Sequence, residues 1–328
     1  MKILYYEINS LHQAGVLSID GESVYSFKQL GLPWNTIQEL CDDKDTNKLK
    51  KIKNRLKEIS KEGTSLRDVK ILSPIPVVRR GIICIGFNFQ KHAQEVAVLR
   101  GESKDSANIS YPIYFSKRNA TTTGPGDAIP YVKGYAENLD VGIEVAVIVG
   151  QDALNVPKEK VKEYILGYTI ANDVCDTRIN KVYTQPFLGK SIDGYIPIGP
   201  WIVTTDEFEE NPLFDLKLTV NGEIRQKGNT RDLVFDIPYI VSELSTNMTL
   251  KAGTIIATGS PANIDAGNLE KLLLLPGDII TCEISQIGTL TNVVKEKNDA
   301  EVWLWFLLYM HIKAKPFLRF IKTEKLFP

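Results

Sequence analysis

From Leu139 to Trp201 short apolar runs alternate with isolated charges, a pattern that buried strands satisfy and surface helices do not. Val145–Val149 is apolar and β-branched, too short for a surface helix and bounded by Gly150, so it reads as a buried strand. Glu144 stands at its mouth. Thr169–Val174 reads as a second strand, interrupted by the polar pair Asn172-Asp173. Carboxylates at the edges of buried strands are costly unless paired, hydrogen-bonded or bound to a cation. Lys190 follows in a glycine-flanked segment. A hard divalent ion held by Glu144 and Asp173, with the lysine nearby, is one expectation. Strand-end acids accepting turn or cap hydrogen bonds are the other, and spacing alone leaves both open.

Gross composition narrows the class. The 328 residues suffice for one large domain with an accessory piece, or for two domains. A formal charge of -1 gives no reason to expect nucleic acid or an anionic membrane as partner. Three histidines cannot build a His-rich zinc site. Cys41, Cys84, Cys175 and Cys282 form no CxxC pair, and three lie in apolar strand-like runs, as reduced buried thiols of a cytoplasmic protein would. The N-terminus lacks the apolar core of a signal peptide, and no stretch reaches the roughly 18 apolar residues a membrane span needs.

Residues 1–75 read as a small N-terminal α/β module. It has strands at Lys2–Ile8 and Gly15–Ile19, an Asp20-Gly21 turn, a short helix from Asn35, and a basic amphipathic helix over Asn47–Ser60. In that helix Leu49, Ile52, Leu56 and Ile59 share one face, and the basic face is expected in solvent. Ser73-Pro74-Ile75-Pro76 reads as an extended linker. The larger domain, 76–296, opens with a strand at Gly81–Phe87. If a helix follows it, His92 and Glu95 become i, i+3 neighbours, either a general base with its orienting carboxylate or a surface pair. Residues 100–110 read as a loop, whether ordinary surface or lid. Tyr111–Lys117 reads as a strand, Leu216–Gln226 as a hairpin turning on Asn221-Gly222, Asp236–Leu244 as a helix, and Gly253–Thr258 and Asp278–Ile284 as strands. Many short strands and few helices predict a β-rich α+β fold. Residues 297–328 break character: apolar Val302–Met310, too short to span a bilayer, is followed by a basic aromatic stretch. An interfacial anchor, a partner-docking helix and an extension past a finished domain all suit it.

His92, Glu144, Asp173 and Lys190 together, within IICIGFNFQKHAQE, LDVGIEVAVIVG, GYTIANDV, GKSIDGYIPIGPWIVT and LKAGTIIATGSPA, resemble the fumarylacetoacetate hydrolase family. The resemblance runs from about residue 74 to residue 294 in consistent order. It implies a mixed β-sheet roll or barrel with a small N-terminal domain, a homodimer, and Mg²⁺- or Mn²⁺-dependent cleavage, decarboxylation or isomerisation of a small β-keto or 2-oxo acid. By that resemblance Glu144 and Asp173 are metal ligands, Lys190 stabilises an enolate, and His92 with Glu95 handles protons. Arg178, Asn180 and Ser260 are the expected substrate contacts.

Several positions depart from the family pattern. Its Glu-x-Glu strand has Gly142 at the first glutamate, which weakens the metal shell unless Glu137 or Asp140 compensates. The Arg and Gln after the aspartate are Thr177 and Asn180, with Arg178 displaced by one. The TGTPxG turn reads TGSPAN, with Asn263 expected to tolerate positive φ. A metal-dependent enzyme with an altered shell, a non-catalytic binding or scaffold paralogue, and an enzyme that no longer needs the cation are the three readings carried forward.

Overall fold

Short strands dominate the N-terminal part of this computed structural model, which describes residues 1–60, 62–99, 101, 103, 109–264 and 272–297. The apolar and basic stretches after residue 300, and most of the 100–110 loop, lie outside the described residues. In chain order the first part contains β1 (Lys2–Ile8), β2 (Leu11–Leu17), β3 (Ser23–Ser26), α1 (Ile37–Asp42), α2 (Lys48–Glu58), β4 (Thr64–Ser65) and β5 (Lys70–Leu72). Next come β6 (Ile82–Gly86), α3 (Gln90–Leu99), β7 (Ile113–Lys117), β8 (Ala128–Val132), β9 (Leu139–Asp140), β10 (Ile143–Val149), α4 (Val161–Tyr164) and β11 (Ile165–Asn172). The chain then forms β12 (Cys175–Asp176), α5 (Thr177–Tyr183), α6 (Pro186–Lys190), β13 (Ile198–Thr204), β14 (Asp215–Val220) and β15 (Glu223–Asn229). It ends with α7 (Ile237–Ser245), β16 (Ile255–Ala257), β17 (Ile279–Ile284) and β18 (Gly288–Lys297).

The described strands form two main sheets. The larger runs β4-β3-β2-β1-β13-β11-β10-β16-β6-β7, with β5 also paired to β1; the smaller runs β15-β14-β17-β18-β8. A two-stranded pairing of β9 with β12 stands apart. The fold is mixed, β-rich α+β, as the many short strands predicted. The N-terminal strands are continuous with the larger sheet, because β1 pairs antiparallel with β13.

Strand β10 is buried along its whole length, and its alternation divides two cores. Ile143, Val145, Val147 and Val149 pack with Leu216, Leu218, Ile280, Cys282 and Leu290 of the smaller sheet. Ala146 and Ile148 face the other way, with Phe27, Trp34, Ile37, Leu40 and Ile52 of the N-terminal part. Glu144 falls on this second parity. A carboxylate therefore enters an otherwise apolar row at the strand's first turn of alternation.

Local signals explain most elements. Thr36 caps α1 by accepting from the Glu39 N–H, and Asp236 caps α7 by accepting from the Tyr239 N–H. Asn221 and Gly222 both take positive φ, the type I′ geometry that closes β14 onto β15. The apolar face of α2 packs as its spacing predicted. Its basic face holds one exception: Lys48 is buried and donates to the carbonyls of Cys41 (3.2 Å), Asp43 (2.8 Å) and Gly150 (2.7 Å). That ammonium ties the N-terminal helices to the end of β10. Lys48→Ala leaves three carbonyls without their donor and is expected to lower unfolding free energy by about 1–3 kcal/mol. Urea denaturation checks this, and an unchanged midpoint would show that the tie carries no stability.

Candidate active site

The larger sheet brings the charged side chains to one end of its central strands. Asn172 pairs with Ile143 at the last rung of β10 and β11, and the next backbone bond runs from the Asp173 N–H to the Gly142 carbonyl at 2.8 Å. Asp173 and Gly142 thus face each other just past the ladder. Glu144 sits two residues further along β10 on the same parity as Gly142. Lys117 ends β7, and Lys190 ends α6.

Asp173 is the hub. Lys117 Nζ donates to its Oδ1 at 2.7 Å, and Lys190 Nζ donates to its Oδ2. Lys117 is fully buried, and its other donors go to the Val174 and Tyr195 carbonyls at 2.9 and 2.7 Å. All three of its N–H groups are therefore used. Lys190 is 15% exposed, lies over the Phe115 ring at 5.1 Å, and has no hydrogen-bond partner besides Asp173 among the described residues. Burial disfavours an ionised Asp173, but the two ammonium groups outweigh it and hold the carboxyl at about 2. Burial likewise opposes the Lys190 charge, and Asp173 overcomes this to hold its pKa above the ordinary lysine range.

Glu144 is the second carboxylate. Its Oε2 accepts from the Gly259 N–H at 2.8 Å and its Oε1 from the Ser260 hydroxyl at 2.9 Å. Burial first, then repulsion from Asp173, pushes it up to about 7, against the pull of Lys190 and those two donors. Gly259 has φ +100, and a Cβ there would lie 2.8 Å from Asn88 Cβ, so only glycine lets this N–H reach the carboxylate.

The same turn holds the histidine dyad. His92 Nδ1 and Glu95 Oε2 lie 3.0 Å apart on α3, the helix that their spacing required. Asn263 donates to Glu95 from both its backbone N–H and its side-chain amide, each at 3.1 Å. The tolerance of positive φ expected of Asn263 is not called on: φ is not positive there, and the residue serves as a double donor. Burial raises the Glu95 pKa, yet His92 and Asn263 together bring it below 4.5. With Glu95 ionised and accepting, a neutral His92 carries its proton on Nδ1, and Nε2 is then the bare nitrogen.

Glu144, Asp173, Lys190 and Ser260 thus meet in one cluster, and Asn263 joins it to Glu95 and His92. The other two expected substrate contacts sit differently. Arg178 is exposed and donates to the Tyr135 carbonyl. Asn180 Oδ1 is buried without a partner, 2.3 Å from where a Cβ on Gly189 would stand. The missing side chain of Gly189 thereby lets α6 lie close on Asn180 of α5, one residue before Lys190. Thr177 is spent on the Asn138 carbonyl. Glu137 stands apart, accepting from the Gly134 N–H; Asp140, on the separate strand β9, accepts from the Val141 N–H, and its carboxyl, raised first by burial, feels the charges of His92, Lys190 and Glu95. Sequence reasoning passed over Lys117; its one signal was a lysine closing an apolar strand beside a turn.

A family model described as fumarylacetoacetate (FAA) hydrolase C-terminal matches residues 81–295. The chain belongs to the fumarylacetoacetate hydrolase family. It is 38% identical over 230 residues to the oxaloacetate tautomerase YisK of Bacillus subtilis, covering 70% of this chain and 74% of that protein. The fumarylacetoacetate hydrolase of Exiguobacterium antarcticum matches with a TM-score of 0.73 at 31% identity, over 90% of this chain and all of that one. A maleylpyruvate hydrolase from Sphingobium sp. SYK-6, in complex with manganese(II) ion and pyruvate, matches with a TM-score of 0.70 at 26% identity, over 91% of this chain and all of that one.

The donor set here falls short of a three-carboxylate metal shell. Among the described residues no group of three or more His, Cys, Asp or Glu side chains converges as a metal ligand set. A Cβ on Gly142 would lie 2.2 Å from Ser260 Oγ and 2.9 Å from Ser260 Cβ, so the place of the family's first glutamate is taken. A dication beside Asp173 would also meet the Lys190 ammonium, a repulsion of about 4 kcal/mol per unit charge at ~4 Å and an effective dielectric near 20. The residues do not fit a full Mg²⁺ or Mn²⁺ shell, and no step below passes through one.

The lowered pKa of Glu95 has a pH consequence. Its contribution to stability is present above 4.5, the unperturbed value, and is lost as pH falls through the lowered folded value. Glu95→Gln is expected to melt below the wild type at neutral pH, with the gap closing as pH drops below 4.5. Melts across that range check this; a gap that stays constant with pH would contradict it.

Proposed function

We propose that this protein forms enolates of a small 2-oxo acid, with keto–enol interconversion as its reaction. The observation that carries the reading is the Lys190–Asp173 pair, the one ammonium of the cluster with free donors, tied through Glu144 and Asn263 to a histidine with a bare Nε2. The 38% identity to an oxaloacetate tautomerase supports it.

In the proposed step His92 Nε2 takes a proton from the carbon next to the carbonyl. The C–H electron pair becomes the C=C bond, and the carbonyl π pair moves onto oxygen. Lys190 donates to that oxygen as charge develops, which favours the enolate over the neutral ketone. The imidazolium then returns its proton, to oxygen for the enol or to carbon for the keto form. Glu95 keeps the imidazole in the needed tautomer, and Lys117 keeps Asp173 charged so that Lys190 stays anchored. Ser260 acts here by fixing Glu144. Arg178 and Asn180 are not used.

The same enolate is the leaving group in hydrolytic C–C cleavage and the product of decarboxylation. The hydrolase or lyase reading, for which the maleylpyruvate hydrolase relative is the support, is therefore the second one. It differs only in that His92 activates water or that carbon dioxide leaves. A screen of oxaloacetate and acylpyruvates, following enol absorbance alongside pyruvate and carbon dioxide release, separates them. Enol–keto exchange faster than in buffer is expected, with His92→Ala lowering kcat by about 10²–10⁴ and Lys190→Ala by about 10²–10³. No acceleration with any of these acids would leave the binding or scaffold paralogue.

A further inference from the structure

Every carboxylate oxygen of the cluster already has a donor. Asp173 has Lys117 and Lys190, and Glu144 has the Gly259 N–H and the Ser260 hydroxyl. Asp173 and Glu144 thus find their donors within the protein, and Asp140 adds a third carboxylate within electrostatic reach of Lys190. The two lysines divide the work. Lys117 is sealed, with all three donors spent inside the protein. Lys190 is held on one side by Asp173 and is the partly exposed member.

The place for a third acid is closed. Gly142 faces Asp173 across the end of the ladder, and the direction its side chain would take is filled by Ser260, whose hydroxyl turns to Glu144. One change at position 142 both removes a negative charge and makes room for a serine that ties down the remaining glutamate. That contact gives Glu144 a donor from the protein itself.

We infer that in this chain the lysines stand in for the divalent cation: Lys190, held by Asp173, binds the oxygen of a small 2-oxo acid anion with no metal in the site. The inference rests on the function proposed above and goes beyond it in dispensing with the divalent cation. An incoming anion meets Lys190 as the partly exposed ammonium. A dication would meet that same ammonium where Ser260 closes the place of a carboxylate on residue 142.

Oxalate, a planar mimic of the enolate of a 2-oxo acid, is the probe. Full-length protein stripped with chelator and checked for metal content is titrated with oxalate by calorimetry, with and without Mn²⁺, and Mn²⁺ binding is followed separately by electron paramagnetic resonance. Equal oxalate affinity in both conditions is expected, with no saturable Mn²⁺ site up to millimolar concentration. Lys190→Met is expected to weaken oxalate about tenfold or more, as loss of a charge-assisted hydrogen bond would. The double substitution Gly142→Glu with Ser260→Gly opens the closed place and restores the third acid, and it is expected to gain Mn²⁺ binding that the wild type lacks. Oxalate binding that requires Mn²⁺ in the wild type would overturn this inference while leaving the enolate reading intact. Absence of oxalate binding in either condition would overturn both. Circular dichroism of each variant separates lost binding from lost folding.

Discussion

A buried carboxylate clamped between two ammonium groups organises this protein. Asp173 could not stay ionised at the end of two buried strands without Lys117 and Lys190. Once ionised it orients Lys190, and its charge reaches Glu144, whose proton is held more tightly as a result. Glu144 in turn gathers the Gly259–Ser260 turn, and that turn continues to Asn263 and the histidine dyad. Changing one member alters the charge felt by all the others, because the cluster sits where water cannot screen it.

The architecture supplies each piece from a different part of the chain. β10 contributes Glu144, Asp173 follows the last residue of β11, β7 contributes Lys117, α6 contributes Lys190, and α3 contributes the dyad. No local segment could assemble the site alone. The all-buried strands β10 and β11, with a core on each face, give it a rigid base. The lysine of the site that keeps free donors is carried on a short helix, with Asn180 and the missing side chain of Gly189 setting how closely that helix lies.

Much of this was legible in the residues. The β-branched run at Val145–Val149, the Asn-Gly hairpin and the helix from Asp236 read directly, because each rests on a local rule that tertiary packing did not override. The His92–Glu95 pair was readable as helix neighbours, and the structure adds Asn263 as its anchor. The edges were harder: β11 starts four residues before its expected boundary, since Ile165–Tyr168 carries no strand signal separable from the helix before it. Lys48 and Lys117 were illegible for a shared reason. A lysine announces solvent, and only the fold reveals carbonyls or a carboxylate waiting to take its donors. For Asn263 the sequence showed only backbone tolerance, whereas its backbone N–H and side-chain amide both donate to Glu95. Gly142 was legible as an absence; that Ser260 fills the gap needed three dimensions.

Where a 2-oxo acid oxygen comes to rest decides whether Lys190 is the electrophile. A crystal structure of the metal-stripped protein with oxalate addresses this directly. The expected result places an oxalate oxygen within hydrogen-bond reach of Lys190 Nζ, with Asp173 still paired to Lys117 and His92 Nε2 turned toward the ligand. Oxalate found elsewhere, or bound only through an ion between Glu144 and Asp173, would contradict it.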